Sequence, residues 1–155
     1  MTDSKESVVV NYLRENGIEF IHNQSVGFVC GSYRPDIKID ALTHYVIVEV
    51  DEGQHKQYEQ SCEVSRMLNI HQALGMRCVF LRYNPDGFIL NGERECEEYD
   101  RLGILLGEVE KNMSRCPDKE VKVYRLFYDS NNGEECVVSC EIDDMICVMK
   151  EVLEG

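Results

Sequence analysis

Two periods of apolar and polar positions alternate along this chain, and the switches between them divide it into elements. Ser4-Lys5-Glu6-Ser7 precedes Val8, Val9, Tyr12 and Leu13 at helical spacing, and Gly17 stands where a helix would stop, so a helix is predicted over 4–16. Two extended segments follow, Gln24 to Cys30 and Tyr33 to Asp40, separated by Gly31-Ser32. The β-branched run Tyr45-Val46-Ile47-Val48-Glu49-Val50 then predicts a buried strand. Residues 56–74 contain no Gly or Pro, space Cys62, Met67, Ile70 and Leu74 on one side, and stop at Gly75, which predicts a long helix; Arg77 to Tyr83 is the next strand. Strand, helix, strand implies a right-handed crossover between parallel neighbours, and hence an α/β core.

Beyond Asn84-Pro85-Asp86-Gly87, a turn signal, the pattern predicts a helix over 97–113 with Tyr99, Leu102, Leu105, Leu106 and Val109 inward. Strands at Val121–Tyr128 and Cys136–Ile142 flank Asn131-Asn132-Gly133, a hairpin signal, and an amphipathic helix over 143–153 follows. Phe88 to Glu95 is a candidate substrate loop that no compositional feature demands. With 155 residues and no internal repeat, one domain spanning 1–155 is expected.

Composition narrows the function classes. A hydrophobic fraction of 43% beside 29% charged residues is that of a globular protein, and no apolar run approaches the ~20 residues that cross a bilayer. The N-terminus has no secretion signal, and the eight cysteines sit singly in apolar patterns without a CxxC pair, so free thiols in a reducing, intracellular compartment, cytoplasm or nucleus, are expected. No glycine-rich phosphate fingerprint opens a helix, which argues against a dinucleotide-dependent oxidoreductase. The formal net charge of −13 opposes binding to a polyanion. It is unevenly spread: residues 1–90 hold 8 Lys+Arg against 12 Asp+Glu, and residues 91–155 hold 8 against 17. The acidity therefore lies mostly in the second half.

The chemistry concentrates where two strands face each other. Asp36 begins one and Glu49-Val50-Asp51 ends another, thirteen residues later, so antiparallel pairing sets Asp36 beside Glu49. Period-two alternation then places Glu49 and Asp51 on the same face. A carboxylate ending the run Val46-Ile47-Val48 is costly to bury unpaired, which makes Glu49 the strongest single candidate. Three converging acids repel one another unless a cation stands between them, and hard divalent ions take such oxygens, so the pattern reads as a Mg²⁺ or Mn²⁺ site. Arg34, Lys56, Arg66 and Arg82 are candidate phosphate contacts, and His55, with a pKa ordinarily near ~6.5, is a candidate acid or base.

Over residues 4–86 the sequence resembles the PD-(D/E)XK nuclease superfamily, in particular its very-short-patch-repair-like branch, in the run Arg34-Pro35-Asp36 … Ile47-Val48-Glu49-Val50-Asp51-Glu52-Gly53-Gln54-His55. The resemblance implies a restriction-endonuclease-like mixed sheet flanked by helices, α/β or α+β in class, with a catalytic core at about 4–86. Residues 87–155 would be an acidic extension containing a β-hairpin and a helix. It implies metal-dependent hydrolysis of DNA phosphodiesters, with Asp36, Glu49 and the Val50 carbonyl on the metal and Glu6 as the helix-one acid. The usual lysine of the motif is here Asp51. Two readings follow: Asp51 is a further metal ligand, with Gln54 and His55 serving the water or the leaving group, or the site is inactive and the fold serves as a protein-binding module. A homodimer would cut both strands or resolve branched junctions; a monomer would nick.

Overall fold

The computed structural model describes residues 4–26, 33–55, 60–95, 100–130 and 135–145. Helix α1 (Lys5–Glu15) begins at Ser4, whose hydroxyl accepts from the Ser7 amide at 3.1 Å, and carries Glu6 in its first turn, where the helix dipole favours an anion. It ends in a Schellman motif. The Gly17 amide donates to the Arg14 carbonyl and the Ile18 amide to the Leu13 carbonyl, with Gly17 at φ +82. Only a residue without Cβ takes that φ at little cost, and the turn returns Ile18 to the core beside Leu13.

Among the described residues six strands form one mixed sheet, in the order β1 (Ile21–His22), β2 (Ile37–Asp40), β3 (Tyr45–Val50), β4 (Cys78–Tyr83), β7 (Val121–Leu126), β8 (Val137–Cys140). The pairs β1–β2, β2–β3 and β7–β8 are antiparallel; β3–β4 and β4–β7 are parallel. The parallel centre is buried on both faces, which is why β3 and β4 read as almost unbroken apolar runs. One face, with Val46, Val48, Val79, Leu81 and Leu126, packs on α1 and on α3 (Arg101–Met113). The other, with Ile47, Phe80 and Val123, packs on α2 (Gln60–Leu74) through Val64, Met67 and Ile70. Burying each such aliphatic side chain contributes on the order of 1.5–3 kcal/mol, enough to fix which face of each strand meets which helix.

The structure departs from the expected elements in three places. The extended segment expected from Gln24 narrows to a single bridge, Val26 to Tyr33, while Ile21–His22 pairs with β2; residues 27–32 lie outside the described residues. The candidate substrate loop is a two-stranded hairpin, β5 (Phe88–Leu90) and β6 (Glu93–Glu95), turned by Asn91 and Gly92 at φ 51 and 83. Asn-Gly after the apolar run Phe88-Ile89-Leu90 is itself a hairpin signal, and both φ values are those of a type I′ turn. Finally, the expected extension is no appendage. Strand β7 pairs with β4 along its whole length and α3 covers the α1 face, so the later half completes the sheet.

Residues 142–145 are helical where the helix over 143–153 was expected; residues 146–153, the turn 131–134 and the start of the 97–113 helix at 97–99 lie outside the described residues. Cys62, Cys78, Cys116, Cys136 and Cys140 are free thiols. Among the described residues no helix is long and apolar enough to cross a membrane.

Candidate active site

The β2–β3 register pairs Ile37 with Val48, and one further step sets Asp36 opposite Glu49, as the two strand runs predicted. Asp36 Oδ2 accepts from the Val50 amide at 2.8 Å, which ties the carboxyl to the edge of β3. Its side chain is also hydrogen-bonded to those of Glu6, from the first turn of α1, and Glu49. Glu49 is 5% exposed, and its Oε1 accepts from Arg66 Nη2 at 3.1 Å; the same nitrogen donates to the Arg34 carbonyl at 2.8 Å. Glu6 Oε2 lies 3.1 Å from His22 Nε2. The result is a chain of contacts, His22 to Glu6 to Asp36 to Glu49 to Arg66, joining β1, α1, β2, β3 and α2.

Three acids in such a chain cannot all be ionised cheaply. Burial, then the charge of Glu49 and the bond to Glu6, pushes Asp36 up to about 8, against the opposing bond from the Val50 amide. Burial also raises Glu49, opposed by Arg66 and Arg82. For Glu6 burial acts upward but is outweighed by its bonds to Asp36 and His22, and its pKa is lowered. Of the three, Asp36 is thus the acid held furthest toward its protonated form.

These acids line a cleft of about 440 Å³ together with Val50, Asp51, Glu52, Cys62, Glu63, Arg66 and Arg82. Six carboxyls and two guanidiniums on its wall make it strongly anionic. The donors are hard oxygens, the chemistry that Mg²⁺ and Mn²⁺ select. Among the described residues no three carboxylate, imidazole or thiol groups stand ready as a metal-binding cluster. Mg²⁺ does not require one: it commonly binds through one or two carboxylates and keeps several waters. Asp36 and Glu49, with Glu6 beside them, are the residues that fit it.

Two residues assigned from sequence are engaged inside the fold. Asp51 lines the cleft on the Glu49 face, but its Oδ2 accepts from Arg82 Nε at 2.8 Å and from the Tyr128 hydroxyl. It anchors an internal ion pair with Arg82. Arg82, expected to contact phosphate, is 2% exposed, and its Nη2 also meets Glu63 Oε1 at 2.9 Å. Burial alone would lower its pKa; the two carboxylates reverse that and hold the guanidinium charged. Its charge is thus spent inside the fold.

Arg34 is exposed, donating from Nε to Ser25 Oγ at 3.0 Å, and reaches the site through its carbonyl. The backbone of Gln54 and His55 belongs to the 3₁₀ segment Glu52–His55; their side chains, and Lys56 altogether, lie outside the described residues. That segment is tied down at Gly53, whose amide donates to the Asp86 carboxylate. The same carboxylate pairs with Lys5 of α1, and Arg101 of α3 donates to the Asp86 and Asn84 carbonyls, so one turn after β4 fixes both α1 and the loop after β3.

Glu63 and Tyr128 were not foreseen. Glu63 had a signal, since it precedes Arg66 by three residues and so shares its helix face. Tyr128 had none, being 77 residues from Asp51 and placed by a left-handed residue, Phe127 at φ 63. Comparison with protein-family models, with curated proteins and with solved structures finds no match to this chain.

Proposed function

We propose that this protein is a metal-dependent DNA endonuclease with a restriction-endonuclease-like fold, and that Asp36 and Glu49 hold its divalent cation. The observation that carries the reading is the buried contact of Asp36 with Glu49 and Glu6 at the end of β3. When bound, Mg²⁺ or Mn²⁺ supplies a lowered pKa for the attacking water and positive charge for the phosphate oxygens. The chain's own residues do the rest. The Val50 amide and the Arg66 guanidinium fix the two carboxyls, and the Asp86 turn holds the segment that carries Gln54 and His55 at the cleft rim.

The electrostatics demand the cation before the substrate. A polyanion cannot approach a wall of six carboxyls and two arginines, both arginines already paired, unless that charge is offset. Supercoiled plasmid incubated with the protein is therefore expected to be nicked or linearised with Mg²⁺ or Mn²⁺ and untouched in chelator. An intact plasmid under both conditions, with intact single-stranded and branched DNA beside it, would end the nuclease reading. The alternative, a nuclease-type site that no longer cuts and serves as a binding module, is favoured by the commitment of Asp51 to Arg82 and Tyr128.

The raised pKa of Asp36 gives an independent check on the cation. Below its ordinary value of 3.8 both folded and unfolded chains hold the proton; as pH rises toward about 8 the unfolded chain has lost it and the folded chain has not. The folded state binds more protons in this window, so this group's contribution to stability is full below it and is lost as pH climbs through it. A cation that takes the proton's place reverses the loss. Mn²⁺ is expected to raise the thermal midpoint more at ~pH 8 than at ~pH 6. Equal shifts at the two pH values would detach the cation from Asp36.

A further inference from the structure

The strand registers align charged residues in one row across the sheet. Glu49 of β3 is the partner of Arg82 on β4, and Arg82 is the partner of Arg125 on β7. In-register neighbours stand on the same face, about 4.8 Å apart from strand to strand, so the carboxylates of the cleft continue into two adjacent guanidiniums. The row ends at Val138 on β8, which is 43% exposed and offers no counter-charge.

The two arginines are not equivalent. Arg82 is buried between Asp51 and Glu63. Arg125 is half-buried, stacks over the ring of Tyr128 with its guanidinium carbon 5.3 Å from the centroid, and has no carboxylate partner among the described residues. Stacking holds a planar guanidinium by its face and leaves its N–H edges to other acceptors. Its Nε, shielded from solvent, meets none, and neither does Arg82 Nη1 beside it. Two orphaned cationic donors on one row, in a chain of net charge −13, are unfavourable unless an anion completes them.

Resting on the nuclease reading, we propose that Arg125 is a DNA-phosphate contact, and that the substrate backbone runs past the C-terminal ends of β3, β4 and β7, from the carboxylates at Glu49 toward Arg125. Arg82, locked by its two carboxylates, sets the position of the row; Arg125 supplies the uncompensated charge that receives a phosphate next to the one at the carboxylates. The contact is electrostatic and planar, so it adds affinity without sequence preference.

The test is binding of a fluorescein-labelled duplex, followed by anisotropy across ~50 to 200 mM salt, for wild type, Arg125→Gln and Arg125→Lys. Arg125→Gln is expected to weaken binding about tenfold and to reduce the slope of log affinity against log salt by about one, while Arg125→Lys keeps the slope. Mn²⁺ calorimetry should match wild type, because Arg125 stacks on Tyr128 and pairs with no carboxylate among the described residues, and thermal melts should show both variants folded at the assay temperature. If Arg125→Gln, or Arg125→Ala should the glutamine variant not fold, binds with wild-type affinity and an unchanged salt slope, the contact is wrong. A wild type that cuts plasmid with such variants unaffected overturns this inference alone; a wild type that neither binds nor cuts DNA overturns the nuclease reading with it.

Discussion

Glu49→Gln is expected to reduce Mg²⁺-dependent plasmid cleavage by roughly 10³-fold while leaving the fold intact. The magnitude is that of removing one preorganised electrostatic element, about 3–4 kcal/mol of transition-state stabilisation. The variant separates chemistry from stability because of where Glu49 sits. It is 5% exposed and its pKa is raised chiefly by burial, so the folded chain already bears a cost for its charge. Glutamine keeps the volume and still accepts from Arg66, but removes the charge that a cation would need. Cleavage rates and calorimetric Mn²⁺ affinity should fall together, with the thermal midpoint at or above wild type. A variant that cuts at the wild-type rate would remove Glu49 from the site; one that binds Mn²⁺ normally yet cannot cut would move the cation elsewhere.

The pairing of Asp36 with Glu49 was legible because it depends on local rules. A β-branched run fixes β3, the turn before it fixes an antiparallel partner, and a carboxylate at the end of a buried strand marks itself by its cost. The same alternation left the partners of Asp51 hidden. Period two places it on the Glu49 face, but its role is decided by Arg82 on the adjacent strand and Tyr128 beyond the next, 31 and 77 residues away. The position of β7 was hidden for a related reason. Its alternation reads as a half-exposed strand, and only the closing of α3 over the opposite face shows that it lies beside β4 and not at a distal hairpin. The acidic second half, expected as an extension of the same domain, supplies Arg125 and Tyr128 to the face that carries the site.

Breaking the buried pair is the sharpest way to tell an anchor from a ligand. Asp51→Ala leaves Arg82 with Glu63 alone and the Tyr128 hydroxyl without its acceptor, inside a wall where neither group can turn to solvent. Removing one member of a buried ion pair costs about 3–5 kcal/mol, and at this chain length each kcal/mol lowers the thermal midpoint by about 2–4 °C. A fall of roughly 6–20 °C is therefore expected, with Mn²⁺ affinity retained below the new midpoint. Pairing Asp51→Leu with Arg82→Met should recover part of the loss, since the buried guanidinium goes with its Asp51 partner and only Glu63 loses a counter-ion. A metal ligand behaves in the opposite manner: Asp51→Ala would then relieve repulsion among the acids, leave the midpoint unchanged or raised in chelator, and abolish Mn²⁺ binding. The double variant also bears on catalysis. If it folds, holds Mn²⁺ and still cuts, Arg82 serves only to keep Asp51 and Glu63 apart from the carboxylates; if it folds and binds Mn²⁺ but no longer cuts, the guanidinium row is part of how the phosphate is held.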